Sequence, residues 1–161
     1  MKKSQRSSLL LFIASVVPVI LLGFIAGQFT KSSQHTWYPT LVTSSINPPD
    51  IVFPIVWSIL YVMIGIALWR LLLKRKQNRL PQEVLWYFAA QLLFNFLWTP
   101  SFFALRSPII ALVDILLLWY CLGMVLLKSY RISKLATALL IPYFLWVTFA
   151  IYLNAFIVFH N

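Results

Sequence analysis

The chain has 161 residues, 61% of them hydrophobic and 10% charged, and its mean hydropathy is +0.87. A soluble domain of this size cannot cover so much apolar surface, so the composition points to an integral membrane protein made of one domain, residues 1–161. Thirteen Lys and Arg stand against three acids, a net charge of +10, but the basic residues sit at the ends of apolar runs, which is a membrane-topology pattern and argues against nucleic acid as a partner.

Five apolar runs are each long enough for a transmembrane helix: 9–29, 51–73, 84–105, 109–127 and 135–159. The fold class expected is therefore all-α, a bundle of five transmembrane helices. The first run follows basic residues, as a signal peptide would, but it exceeds the usual signal core of about 7–15 residues. It is read as a span, with cleavage after Ala26 as the alternative. Gly23 and Gly27 make a GxxxG pair within it. Close packing inside the bundle is the preferred reading, and a homodimer seam is the alternative.

The connection 30–50 is far longer than two neighbouring helices need, which is typical of a lid or binding loop. Trp37-Tyr38 suits a membrane interface, and Pro39, Pro48 and Pro49 stiffen the segment. The loop is expected to fold over one mouth of the bundle. In the second run Pro54 comes early enough to be tolerated, and Trp57, Tyr61 and Ile64 share a helix face.

The third run is the most informative. Gln91, Asn95, Trp98 and Phe102 fall at i, i+4, i+7 and i+11, one face of a helix. An unpaired amide in hydrocarbon costs about 2–7 kcal/mol, so this face should look into the protein or onto a ligand. Pro81 and Glu83 suit the start of this helix. In the fourth run Asp114 is the single acid deep in a span, grouped with Ile110, Leu117 and Cys121. A centred Asp costs about 2.5–3.5 kcal/mol on insertion, so it should point inward. A bond to a neighbouring helix is preferred to a ligand or proton role, and Asn95 is near enough in depth to be its partner. Cys121, the one cysteine, excludes a disulfide framework and a zinc site. The fifth run puts Pro142, Trp146, Phe149, Ala150 and Leu153 on one broad face, with Asn154 a second buried amide. Pro142 should kink it, and Ala150 leaves room.

No catalytic or metal constellation is visible, and His35 and His160 lie outside the spans, so no fixed cofactor is expected. The residues describe a five-helix bundle with an aromatic, sparsely polar cavity, suited to a flat hydrophobic ligand.

Several stretches together resemble the translocator protein family, also called TspO/MBR, tryptophan-rich sensory protein or peripheral-type benzodiazepine receptor. They are Trp37-Tyr38 with Pro48-Pro49; Pro54-x-x-Trp57-x-x-Leu60-Tyr61; Gln91-x-x-x-Asn95-x-x-Trp98-x-Pro100-x-Phe102-Phe103; Arg106 followed by Asp114; and Pro142-Tyr143-x-x-Trp146-x-x-Phe149-Ala150-x-x-Leu153-Asn154. The resemblance covers nearly the whole chain. It implies a receptor or transporter that binds porphyrins, cholesterol-like lipids and benzodiazepine-type drugs in a cavity closed by the first loop. By position, the ligand would meet Phe53, Val56, Trp57, Asn95, Ile110, Val113, Asp114, Leu117, Trp146, Ala150 and Leu153. Porphyrin or haem would be a ligand rather than a resident cofactor. Light-dependent porphyrin breakdown, attributed to some bacterial members, would make Trp57 and Trp146 the catalytic candidates. A regulatory membrane protein with an incidental cavity is the third reading.

One departure stands out. Animal members carry a cholesterol motif late in the fifth helix, and here Phe156 and Phe159 occupy the tyrosine and basic positions. Leu127, Tyr130 and Lys134 satisfy the pattern formally, but in a basic loop. The missing motif and the lack of a targeting extension point to a bacterial cell membrane.

With five crossings, eleven of the thirteen Lys and Arg fall on one side: Lys2, Lys3, Arg6, Arg70, Lys74, Arg75, Lys76, Arg79, Lys128, Arg131 and Lys134. Only Lys31 and Arg106 fall on the other. The positive-inside rule then puts the N-terminus in the cytoplasm and the C-terminus outside. Reporter fusions at Gln77 and at Asn161 should therefore report opposite sides of the membrane; the same side for both would sink the five-span count.

Overall fold

A computed structural model describes residues 3–31 and 33–161. Lys2, counted above with the basic side, lies outside the described residues. Five long helices account for most of the chain: α1 (Lys3–Thr30), α2 (Val52–Lys76), α3 (Gln82–Thr99), α4 (Pro108–Ser129) and α5 (Lys134–His160). Among the described residues there is no strand. Four of the five, all but α3, are long and apolar enough to cross a membrane by length and composition. The third helix is shorter and is diluted by Gln82, Glu83, Gln91 and Asn95. Its 18 residues rise roughly 27 Å at 1.5 Å each, and a π-helical turn, Pro100–Ala104, carries the rod onward. That extension brings it to the thickness of the hydrocarbon core.

Local chemistry sets the ends. Ser107 accepts a hydrogen bond from the Ile110 amide and is followed by Pro108, which needs no partner in the first turn. Ser133 caps α5 in the same way through the Ala136 amide. Lys74, Arg75 and Lys76 fill the last turn of α2, where free carbonyls favour cations. Asn78 and Arg106 adopt left-handed backbone, φ 55° and 50°, and turn the chain between α2 and α3 and between α3 and α4. The fifth helix runs on through Pro142, and α1 through Pro18.

The helices pack in the ring order α1, α2, α5, α4, α3, and α3 closes the ring more lightly against α1. The half nearer the basic ends is solid. Leu71, Val84, Phe88, Leu122, Val125, Leu140 and Val147 are fully buried there or nearly so. The opposite half holds a smaller cluster, Phe102, Ala111 and Ile157, with Trp37, Tyr38, Leu41, Trp98 and Phe103 packed onto it.

In hydrocarbon no hydrophobic force draws helices together, so close approach at small residues matters more. A Cβ built on Gly65 would lie 2.8 Å from the Val16 Cα, so α1 and α2 touch backbone to backbone there. A Cβ on Gly23 would fall inside the Tyr61 ring, while at Gly27 nothing comes within 4 Å. The GxxxG pair is thus split: Gly23 seats a ring within the bundle, and Gly27 borders the open cavity described below. Gly65→Ala should cost about 1–3 kcal/mol, because the facing Val16 atom is backbone and yields only with the helix. Gly27→Ala should be neutral or slightly stabilising. Thermal unfolding of the two variants in detergent checks the contrast, and equal melting temperatures would refute it.

Candidate functional site

The face expected on α3 does look inward. Gln91, Asn95 and Phe102 are buried, and Trp98 is partly so. Its polar groups build a continuous chain across three helices. The Tyr61 hydroxyl on α2 donates to Asn95 Oδ1 at 2.8 Å. Asn95 Nδ2 donates to the Tyr143 hydroxyl on α5 at 3.0 Å, and that hydroxyl donates to Gln91 Oε1 at 2.9 Å. Gln91 Nε2 has no partner among the described residues. Toward the loop end Trp98 Nε1 donates to Asn154 Oδ1 at 3.1 Å, and Asn154 Nδ2 donates to the Pro108 carbonyl at 2.8 Å.

Asp114 is buried and pairs with a neighbouring helical rod, as preferred, but its partner is not Asn95. Ser101 Oγ in the π-helical turn donates to Asp114 Oδ2 at 2.5 Å. Asn95 lies six residues before Ser101, roughly 9 Å deeper at 1.5 Å per residue, beyond reach of the carboxylate, and both ends of its amide are already engaged.

Above the chain from Tyr61 to Gln91 lies a cavity of about 590 Å³. Its walls include Phe53, Trp57 and Tyr61 of α2, Asn95 and Trp98 of α3, Phe102 of the π-helical turn, Ile115 and Leu118 of α4, and Trp146, Ala150, Leu153 and Asn154 of α5. The rings are arranged rather than scattered. Trp57 stacks on Tyr61 with centroids 5.5 Å apart and meets Tyr143 edge-on at 6.1 Å. Phe53 meets Trp146 edge-on at 5.9 Å, and Trp98 stacks on Phe102 at 5.4 Å.

The long loop folds over this mouth. Ser33 Oγ donates to the Phe103 carbonyl at 2.6 Å. Tyr38 packs its ring on Phe102 and Phe103 and accepts a bond from Asn47 Nδ2 at 3.0 Å. Burial raises the Tyr38 phenol above its ordinary pKa against the effect of the Asn47 amide, and the Asp50 charge adds to the rise, so the phenol is neutral. At the far edge the Val42 amide donates to Asn161 Oδ1 at 2.8 Å, and Ser44 Oγ lies 3.1 Å from the Tyr152 hydroxyl. Lys31, Gln34, Asn47 and Asp50 form the polar rim. Ile20 and Phe24 of α1 and Val62 of α2 line the cavity and keep much of their surface exposed.

Of the positions carried over from the resemblance, Phe53, Trp57, Asn95, Trp146, Ala150 and Leu153 line this cavity. Val56 packs against the core beside it. Ile110, Val113 and Leu117 do not line it: they are 49%, 53% and 41% exposed on the outward side of α4. Asp114 is held by Ser101 and is not among the lining residues. The buried stripe of α4 runs through Ala111, Asp114, Ile115, Leu118, Cys121, Leu122 and Val125, which turns Ile110 and Leu117 to its margin and Val113 to its back. The helix therefore presents Ile115 and Leu118 to the cavity instead.

The residues missed by that list are Tyr143, which ties the polar chain together, and the α1 wall at Ile20, Gly23 and Ala26. Tyr143 carried a usable signal, since a phenol deep in a span needs a partner. The α1 wall carried none, because lipid-facing and cavity-facing apolar residues look alike in sequence.

Helices of this length and apolarity, enclosing a roofed aromatic cavity, define a multi-pass integral membrane protein with an internal ligand-sized site. The chain matches the TspO/MBR family over residues 14–160 and belongs to it. A tryptophan-rich protein TspO of Chlorobaculum tepidum is 45% identical over 136 residues, 84% of this chain and 85% of that one. A tryptophan-rich sensory protein of Cereibacter sphaeroides is 34% identical over 118 residues, 73% of this chain and 72% of that one. The human translocator protein is 33% identical over 133 residues, 81% of this chain and 78% of that one.

Because Asn95 bonds two helices at once, Asn95→Leu should lower stability. Interhelical bonds in membranes average about 0.6 kcal/mol each, with a maximum near 1.7, so the loss should be about 1–3 kcal/mol. Asp114→Asn should not rescue it, and the two losses should add. Melting temperatures of both single variants and the double test this; rescue by Asp114→Asn would mean that the two side chains do meet.

Proposed function

We propose that the protein is a receptor- or transporter-like membrane protein that holds a porphyrin-type tetrapyrrole, or another flat hydrophobic ligand, in this cavity. The observation that carries the reading is the wall itself, with Trp57 stacked on Tyr61 and Phe53 against Trp146 in a volume of about 590 Å³. Such walls give a flat ring system large contact area at little cost in side-chain freedom, and the volume is ordinary for a small-molecule site. The roof over the mouth and the sensory name of a relative agree with a regulatory role. The exposed wall at Ile20, Phe24 and Val62 offers a hydrophobic ligand a route from the bilayer. We place the N-terminus in the cytoplasm and the loop outside on the strength of the eleven-to-two distribution of basic residues, and a bacterial cell membrane agrees with the missing cholesterol motif at Phe156 and Phe159. Light-dependent breakdown of the ligand is the second reading, favoured by the ring contacts of Trp57 with both Tyr61 and Tyr143.

Tryptophan-quenching titration with protoporphyrin on the purified protein is the direct test. Saturable quenching is expected, and quenching that never saturates would remove the proposal. Ala150→Leu adds bulk to the lining and should weaken binding at least several-fold without lowering the melting temperature. Ile110→Ala and Val113→Ala, on the outward side of α4, should leave affinity unchanged. Illumination of the bound complex separates the second reading, which requires a defined product that Trp57→Phe abolishes.

A further inference from the structure

The polar-to-apolar order of a second groove, at the opposite end of the bundle, matches neither the cavity nor bare helix packing. It lies between the start of α1 and the end of α2 and has a volume of about 340 Å³. Gln5, Ser8, Leu9 and Phe12 line it from α1, and Trp69 from α2. The α1 residues fall at i, i+3, i+4 and i+7, so they form one stripe that passes from polar to apolar in the direction of the bilayer centre. At its apolar end Phe12 meets Trp69 edge-on, with centroids 5.3 Å apart.

Two cations stand beside the groove without lining it. The Arg70 guanidinium lies 5.6 Å from the centre of the Trp69 ring. Lys76 Nζ is 3.2 Å from Ser7 Oγ, which brings this ammonium across to the first turns of α1 beside Arg6. No acid answers them. The chain has three, Asp50, Glu83 and Asp114; Glu83 is paired with Lys128 at 2.9 Å, Asp114 is held by Ser101, and Asp50 is on the rim of the far cavity. In addition, the Trp69 indole nitrogen is buried with no hydrogen-bond partner among the described residues.

We propose that this groove binds an anionic phospholipid, independently of what the aromatic cavity holds. The phosphate lies by Lys76 and Arg70, the ester region meets Ser8 beside the Trp69 ring, and one acyl chain follows Leu9 and Phe12 into the bilayer. Basic pockets between transmembrane helices recognise anionic headgroups by this combination of charge and a flanking apolar track. The Trp69 ring, set against Phe12, provides the rigid wall of that track.

Native mass spectrometry of the full chain, released from detergent with equimolar phosphatidylglycerol and phosphatidylcholine, tests the site. The wild type should retain one phosphatidylglycerol at least several-fold over phosphatidylcholine. Arg70→Gln with Lys76→Gln should reduce that retention about ten-fold or more, and Trp69→Phe should reduce it several-fold while keeping the ring. Arg70→Lys should restore most of it, which separates charge from folding, and melting temperatures verify that each variant is folded. Arg131→Gln, a basic residue elsewhere on the same face, should leave it unchanged. Equal retention of the two lipids, or wild-type retention by the double variant, overturns the proposal. So does an equal loss in Arg131→Gln, which would reduce the effect to general surface charge. Displacement of the lipid by free glycerol phosphate would assign the groove to a soluble anion and overturn it too.

Discussion

A bilayer offers no water to a stranded polar group, and the interior of this bundle is arranged around that constraint. Tyr61, Asn95, Tyr143 and Gln91 are joined along a single chain that crosses α2, α3 and α5 and leaves only Gln91 Nε2 of these groups without a partner among the described residues. Each link holds two helices at a fixed register, because an amide or phenol moved by a few ångströms would lose its partner with nothing to replace it. Dispersion alone would let apolar helices slide at little cost, since lipid and side chain compete on nearly equal terms. The polar chain therefore supplies what apolar packing in hydrocarbon lacks, a reason for one arrangement rather than several.

The cavity follows from where that chain stops. Toward the basic ends the helices close on Leu71, Val84, Phe88, Leu122 and Val125, and the core is solid. Toward the loop, large flat rings lean on one another in pairs and Ala150 contributes almost no bulk, so the walls stand apart without collapsing. A second polar tie, Trp98 to Asn154 to the Pro108 carbonyl, braces the upper rim. The π-helical turn at Pro100–Ala104 belongs to the same design. Pro100 cannot donate into the helix, and the widened turn presents Ser101 to Asp114 on one side and Phe102 and Phe103 to the loop on the other.

Much of this was legible in the residues, and the failures share one cause. The five spans, the inward face of α3, the roofing loop and the in-bundle role of Gly23 follow from length, from polar groups that hydrocarbon forbids, and from glycine spacing. The faces of α4 did not. That helix is apolar almost all round, and in a membrane the apolar residues facing lipid carry the same composition as those facing the core. With Asp114 as its sole marker, the spacing aligns the stripe on Ile110 and Leu117, whereas in the structure it is centred on Ala111, Leu118 and Val125. The partner of Asn95 failed for a related reason: equal depth in two spans says nothing of which way a side chain points, and although α3 packs most heavily on α4, Asn95 turns inward to accept from Tyr61 of α2 and to donate to Tyr143 of α5.

The same ring order sets the two ends of the bundle apart. The first two helices are in contact near the basic end, where Lys76 meets Ser7, Phe12 meets Trp69 and Gly65 meets Val16. They remain in contact as far as Gly23 on Tyr61, and beyond that level Gly27 looks onto open space. Since Tyr61 is also the first link of the polar chain, its ring is fixed from both sides, by the α1 backbone at Gly23 and by Asn95. This one side chain thus ends the α1–α2 seam and floors the cavity above it. A change that loosened Tyr61 would act at once on the seam, on the hydrogen-bonded chain and on the cavity wall, which makes it the point where the stability of this fold and the shape of its cavity are least separable.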